Sequence, residues 1–147
     1  DKYKSTCGRG IRMVNAKIKL IDVALKGSSS YALLIPPASS ETTVVVATRC
    51  ELANSIFGAI VQGSLTSATF NNCVFHDNRR HGIRGFESTI HLHGEATAIH
   101  SNGGCGIFAY DSCKVIIHLP SHHNTSYNNT RGDRHIIGGA TITNVED

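Results

Sequence analysis

The sequence predicts an all-β solenoid wound from a repeat of 24 residues, and three observations predict it. Asn54, Asn78 and Asn102 are each 24 residues apart. Gly58, Gly82 and Gly106 keep the same interval, so Asn-x-x-x-Gly recurs as NSIFG, NRRHG and NGGCG. Between these marks apolar and polar residues alternate, as in Ile90 and Leu92 around His91, or Val115, Ile117 and Leu119 across Ile116 and His118. Period-two alternation broken every few residues by Gly, Ser or Asn is the pattern of short strands. A fixed interval of this length marks a repeat architecture.

Each element follows from that register. Residues 1–9, DKYKSTCGR, are polar and read as an N-terminal cap. Gly10-Ile11 and Tyr31-Ala32-Leu33-Leu34 read as the first coil starts, with intervals of 22 and then 26 before the strict repeat begins. The stretch RMVNAKIKLIDVALK admits a helix by spacing, but its β-branched residues suit two strands. GAIVQGS, GIRGFES and GIFAYDS open successive coils, and VFHDN and AIHSN close them. TSYNN ends at Asn129 after an insertion of three residues. Residues 120–135 read as a polar insertion, and 136–147, with the β-prone IIGGATITNV, as a final strand pair or cap. Residues 1–147 thus form one domain of about six coils, a parallel β-helix. No turn signal for hairpins recurs, a propeller blade needs a period of about 40 residues, and the Leu-x-x-Leu-x-Leu signature of leucine-rich repeats is missing.

Composition narrows the function classes. The chain has 147 residues, 40% of them hydrophobic and 17% charged, with a net charge of +3. That excludes disorder. No apolar run reaches the ~18 residues of a spanning helix, so membrane insertion is not expected. The charge is too small and dispersed for a nucleic-acid partner. The chain begins at Asp1, which reads as a processed or excised product. Five cysteines, Cys7, Cys50, Cys73, Cys105 and Cys113, form no CxxC pair and read as buried free thiols. Sequons begin at Asn124 and Asn128, so the compartment stays open. Arg131-Gly132-Asp133 spells a three-letter adhesion motif that chance supplies readily.

The segments NRRHGI and HSNGGCGIFAYDS, with the strands before them, resemble the right-handed parallel β-helix repeat of pectate-lyase-like proteins, over roughly residues 44–130. The stretch from STIHLHGEATAIHSN to VIIHLPSHHNTSYNN is also similar to uncharacterised β-helix proteins of algae and large DNA viruses. This resemblance implies a right-handed, single-stranded β-helix. It implies no single activity, because the fold hosts lyases, hydrolases, epimerases, tailspikes and pure binding modules.

In such a coil, strands stack at ~4.8 Å, and residues one repeat apart form columns. Asn54, Asn78 and Asn102 are expected to point inward as a hydrogen-bonded ladder, with Gly58, Gly82 and Gly106 supplying tight bends or positive φ. With Ile83 and Ile107 inward, Arg84, Phe108, Phe86 and Tyr110 point outward. Aromatic rings beside polar groups suit a sugar, whose C–H groups pack on a π face. Glu87 and Asp111 lie next along the chain, one coil apart. Two carboxylates so placed would bind Ca²⁺ or share acid–base work, with Arg84 as the cation, in a lyase or epimerase. His76 and His100 share a column that continues toward Tyr127, and His93 and His118 share another after a one-residue shift. His81, Cys105 and His135 form a third and are the candidate metal ligands. His122-His123 falls in the polar insertion.

The function expected is a non-catalytic β-helix module, binding a polysaccharide or protein partner or serving as a cell-surface or virion-type scaffold. Its open coil ends offer a route to self-association. The alternative is a pectate-lyase-like polysaccharide lyase or uronan epimerase. No cofactor is expected apart from Ca²⁺ in that alternative.

Overall fold

A computed structural model describes residues 10–119 and 125–146. The cap at 1–9, Cys7, His122, His123 and Asn124 lie outside them. The described residues hold strands and no helix, so none is long and apolar enough to cross a membrane. The first coil is β1 (Ile11–Arg12), β2 (Lys17–Ile21) and β3 (Ala24–Lys26), which settles the 12–26 stretch as strands. The second is β4 (Tyr31–Ile35), β5 (Thr43–Thr48) and β6 (Glu51–Ala53). The third is β7 (Phe57–Gln62), β8 (Thr66–Asn71) and β9 (Val74–His76). The fourth is β10 (Ile83–Phe86), β11 (Thr89–His93) and β12 (Ala98–His100), and the fifth β13 (Ile107–Tyr110), β14 (Lys114–Leu119) and β15 (Ser126–Tyr127). β16 (Arg134–Ile137) and β17 (Thr141–Glu146) begin a sixth. The solenoid therefore completes five coils of three strands and starts another, where about six were expected.

Every strand pairs in parallel with its counterpart in the next coil. The first strands of each coil make one sheet, β1-β4-β7-β10-β13-β16, the second make β2-β5-β8-β11-β14-β17, and the third make β3-β6-β9-β12-β15. The expected coil starts hold, since Ile11 pairs with Leu33, Leu33 with Ala59, Ala59 with Ile83 and Ile83 with Ile107. Alternation drives the rest. In β5 and β8 every second residue is buried, and the core runs up the axis through Leu33, Val45, Phe70, Phe75, Ile83, Ile90, Leu92, Ile99 and Ile107. Phe70 and Phe75 meet edge to face at 4.9 Å. Burying such a side chain contributes roughly 1.5–3 kcal/mol. Cys50, Cys73, Cys105 and Cys113 are buried free thiols, as expected of small hydrophobes.

Most corners between the described strands carry a residue with positive φ. Asp22, Arg49 and Asn72 mark the corner after the second strand, and Asn54, Asp77, Ser101 and Asn128 the corner after the third. Asn and Asp bear this conformation with least cost because their side chains bond locally. Asn54 is thus a corner residue, exposed at φ 55°, and not a ladder residue. Ser55 takes the inward place. It stands opposite Asn78 at an interval of 23, because the extra residue of the next coil lies between Asn78 and Gly82.

The ladder itself runs Ser28, Ser55, Asn78, Asn102, Asn129. Ser28 N–H donates to Ser55 Oγ, Ser55 N–H to Asn78 Oδ1, Asn78 N–H to Asn102 Oδ1 and Asn102 N–H to Asn129 Oδ1, each at 3.1 Å. The amide groups of Asn78, Asn102 and Asn129 donate to the carbonyls of Leu52, Phe75 and Ile99 at 3.1–3.2 Å. Backbone groups at the corner that strand pairing leaves over are thereby satisfied. Asp133 Oδ1 ends the column by accepting from Asn129 Nδ2 at 3.1 Å, which gives the acid of the Arg-Gly-Asp triplet a structural partner. Residues 125–135, expected within an insertion, instead supply β15, the ladder residue Asn129 and the start of β16.

Gly58, Gly82 and Gly106 have negative φ, so conformational freedom is not why they are glycine. Space is the reason. A Cβ on Gly82 would stand 2.5 Å from Ile99 Cγ2, 2.8 Å from the Gly106 carbonyl oxygen and 2.9 Å from Asn102 Nδ2. The chain passes directly over the ladder amide, and only glycine fits there.

Candidate functional site: the outer face of the first sheet

Parity places the site. Ile83 and Gly85 pair with Ile107 and Ala109 inside, so Arg84 and Phe86 pair with Phe108 and Tyr110 outside. Gly85 is small because Cys113 Sγ and Ile90 Cδ1 fill the space where a Cβ would stand, at 2.5 and 3.0 Å. That packing holds β10 flat against the core and fixes its outward residues.

The outward side chains form one continuous surface, half-buried because the rings lie against one another. Phe86 and Tyr110 are 4.9 Å apart between centroids. Arg84 donates to Tyr110 Oη at 2.9 Å, and its guanidinium lies 5.6 Å from the Phe57 ring and 5.3 Å from the Tyr110 ring. Cation–π contacts at such a half-exposed site contribute of order 0.5–1 kcal/mol each. Phe108 is stacked between His81 at 4.8 Å and His135 at 5.0 Å, and meets Tyr110 edge-on at 5.5 Å. Phe57 was not legible as part of this face. It shares the parity of inward Ala59 and Val61, yet it is half-buried where they are fully buried, and its ring lies beside the Arg84 guanidinium.

Glu87 and Asp111 occupy the corner beyond this face, one coil apart, at φ 58° and 47°. Gly63 below and Gly138 above interrupt the column at both ends, so the acidic pair stands without a third member. Among the described residues neither acid belongs to a group of three or more close metal-ligating side chains.

The expected metal trio does not assemble. His81 and Cys105 do stack, and His81 Nδ1 accepts the Cys105 backbone N–H at 2.9 Å. His135 pairs with Phe108, because the register that sets Ile107 beside Arg134 brings Gly132, and not His135, level with Cys105. Burial, together with the positive charges of Arg84, Arg80 and Arg131, pulls the His81 pKa down to about 4. Burial pushes the Cys105 thiol up. The other two columns form as read. His76 stacks on His100 at 5.3 Å and His100 on Tyr127 at 5.1 Å. His93 stacks on His118 at 3.8 Å, the one-residue shift arising at the Asp111–Ser112 corner, where both residues have positive φ.

A parallel three-sheet solenoid with an inward Asn ladder defines a class of repeat protein, and comparison with known families agrees. The family described as right handed beta helix region matches residues 9–146. The chain belongs to that family, the right-handed β-helix proteins. Searches of curated proteins and of solved structures gave no match.

Proposed function

We propose that this β-helix is a non-catalytic module that binds an acidic glycan on the outer face of its first sheet. The observation that carries the reading is the Arg84 guanidinium held between the Phe57 and Tyr110 rings, with Phe86 beside Tyr110. The rings offer π faces to sugar C–H groups. A guanidinium has five N–H donors in a planar fork that suits a carboxylate, and Tyr110 Oη takes one of them.

The catalytic alternative, a pectate-lyase-like lyase or uronan epimerase, would use Glu87 and Asp111 for Ca²⁺ or acid–base work and Arg84 as the cation. It has less support. The acidic column stops at two members between Gly63 and Gly138, and Arg84 is turned toward Tyr110.

The test is a microarray of neutral and uronate oligosaccharides probed with the full chain, followed by calorimetry on the hits. Binding to uronate glycans is expected, weakened roughly tenfold or more by Arg84→Ala and by Tyr110→Ala, with cooperative melting retained. Absence of any hit, or an affinity that both substitutions leave unchanged, overturns the proposal. Incubation of polyuronates with Ca²⁺ is expected to give no unsaturated product. Product that disappears in Glu87→Gln would replace binding with lyase chemistry.

A further inference from the structure

The second sheet carries a different constellation on its outer face. β11 presents His91 and His93 two residues apart, so period two turns both outward. β14 brings His118 into register with His93, since Leu92 pairs with Ile117. His91 Nδ1 and His118 Nε2 are 2.8 Å apart, and the His93 and His118 rings stack at 3.8 Å. Ligand atoms of all three lie within 4.8 Å of one another, and each side chain is half-buried. Among the described residues this is the one group of three or more His, Cys, Asp and Glu so placed.

We propose that His91, His93 and His118 form a binding site for a divalent transition-metal ion of the Cu²⁺ or Ni²⁺ class. Imidazole nitrogens bind such ions at about 2.0–2.1 Å. Two nitrogens at that distance from one ion are about 2.9 Å apart at a right angle and about 3.3 Å apart at the tetrahedral angle. The observed 2.8 Å between His91 and His118 is close to the right-angle separation of tetragonal Cu²⁺ or Ni²⁺, so the pair keeps its spacing while the rings turn both lone pairs toward one ion. Zn²⁺ would require the pair to open. The bound ion replaces the single proton that the two facing nitrogens now share. His93 reaches the same ion by rotation of its half-buried ring. Three protein nitrogens leave the remaining positions open to solvent on the outer face. This site is on a different sheet from the glycan face and stands independently of that reading.

The experiment is a calorimetric titration of the chelator-treated full chain with Cu²⁺, Ni²⁺ and Zn²⁺, paired with the electron paramagnetic resonance spectrum of the Cu²⁺ form. One ion per chain is expected, tighter for Cu²⁺ and Ni²⁺ than for Zn²⁺, with nitrogen hyperfine structure in the Cu²⁺ spectrum. His118→Gln and His91→Gln should each weaken binding roughly a hundredfold, while His76→Gln with His100→Gln, the other stacked pair, should leave it unchanged. Far-UV circular dichroism confirms that each variant keeps its sheets. Binding that survives His118→Gln and His91→Gln in folded protein, or that is lost equally in the His76/His100 variant, overturns the proposal. So does the absence of stoichiometric uptake by the wild-type chain.

Discussion

Two donors of Asn78 converge on one acceptor of Asn102: Asn102 Oδ1 takes both the backbone N–H of Asn78, at 3.1 Å, and its side-chain Nδ2, at 2.9 Å. One coil down, Asn78 Oδ1 accepts from Ser55 N–H, and Asn78 Nδ2 also donates to the Leu52 carbonyl. Asn78→Ala therefore removes the partners of two buried backbone groups at once. The expected cost is about 2–4 kcal/mol, read from urea unfolding. Asn54→Gly should change stability by less than about 0.5 kcal/mol, because Asn54 is exposed and its φ of 55° suits glycine. Equal effects at the two positions would contradict the assignment of Ser55 to the ladder.

A methyl group tests the second column. Gly82→Ala places Cβ against Ile99, the Gly106 carbonyl and the Asn102 amide, none more than 2.9 Å away. Backbone and a fully buried isoleucine have little room to yield, so a loss of about 1–3 kcal/mol is expected in thermal or urea melts. Gly139→Ala is the contrast. Its φ is 78° and nothing lies within 4 Å of its Cβ position, so it should cost only the left-handed backbone term of about 1 kcal/mol.

The repeat, the strand parity and most columns were legible because side-chain alternation is written in the sequence. Phe86 over Tyr110, His76 over His100 and His93 over His118 follow from counting. What escaped is decided at the corners, where the backbone sets the register. Asn54 aligns with Asn78 by interval, yet one extra residue between Asn78 and Gly82 hands the ladder to Ser55. Register also decides His135, which falls beside Phe108 while Gly132 comes level with Cys105. The left-handed corner positions are held by residues as different as Asp22, Arg49 and Asn72, so no shared letter announces them. His91 joins His118 only through the ring-to-ring geometry of two strands, which counting does not give.

His81 makes stability depend on pH. Its pKa falls from 6.5 to about 4 on folding, chiefly through burial, with Arg84 next. Above pH 6.5 the imidazole is neutral in both states and its contribution to stability is fully present. Between 6.5 and 4 the unfolded chain takes up the proton first, so stability falls with falling pH. Discounted for the partial exposure of the ring, the loss over that window is on the order of 1–2 kcal/mol. His81→Asn keeps an acceptor near the Cys105 N–H and cannot titrate. The slope of melting temperature against pH should be shallower in His81→Asn than in wild type, and parallel slopes would remove His81 as the cause.

The energetic weight of a core column depends on its distance from the coil end. Ile107 is fully buried between coils, whereas Ile136, which follows Ala109 in the neighbouring inward column, is 45% exposed on the last strand of its sheet. In a solenoid each coil is stabilised by the coils on either side, and β16 is the last of its sheet among the described residues. Ile107→Ala should cost about 2–5 kcal/mol, since the cavity is enclosed on all sides. Ile136→Ala forfeits only part of that burial and should cost about 1 kcal/mol. Native-state hydrogen exchange supplies the second readout. Amides of β10 and β13 should exchange only through near-global unfolding, while those of β16 and β17 exchange through local opening. Uniform protection from β10 to β17 would mean that the solenoid unfolds as one unit, and the two isoleucines would then differ only by their buried area.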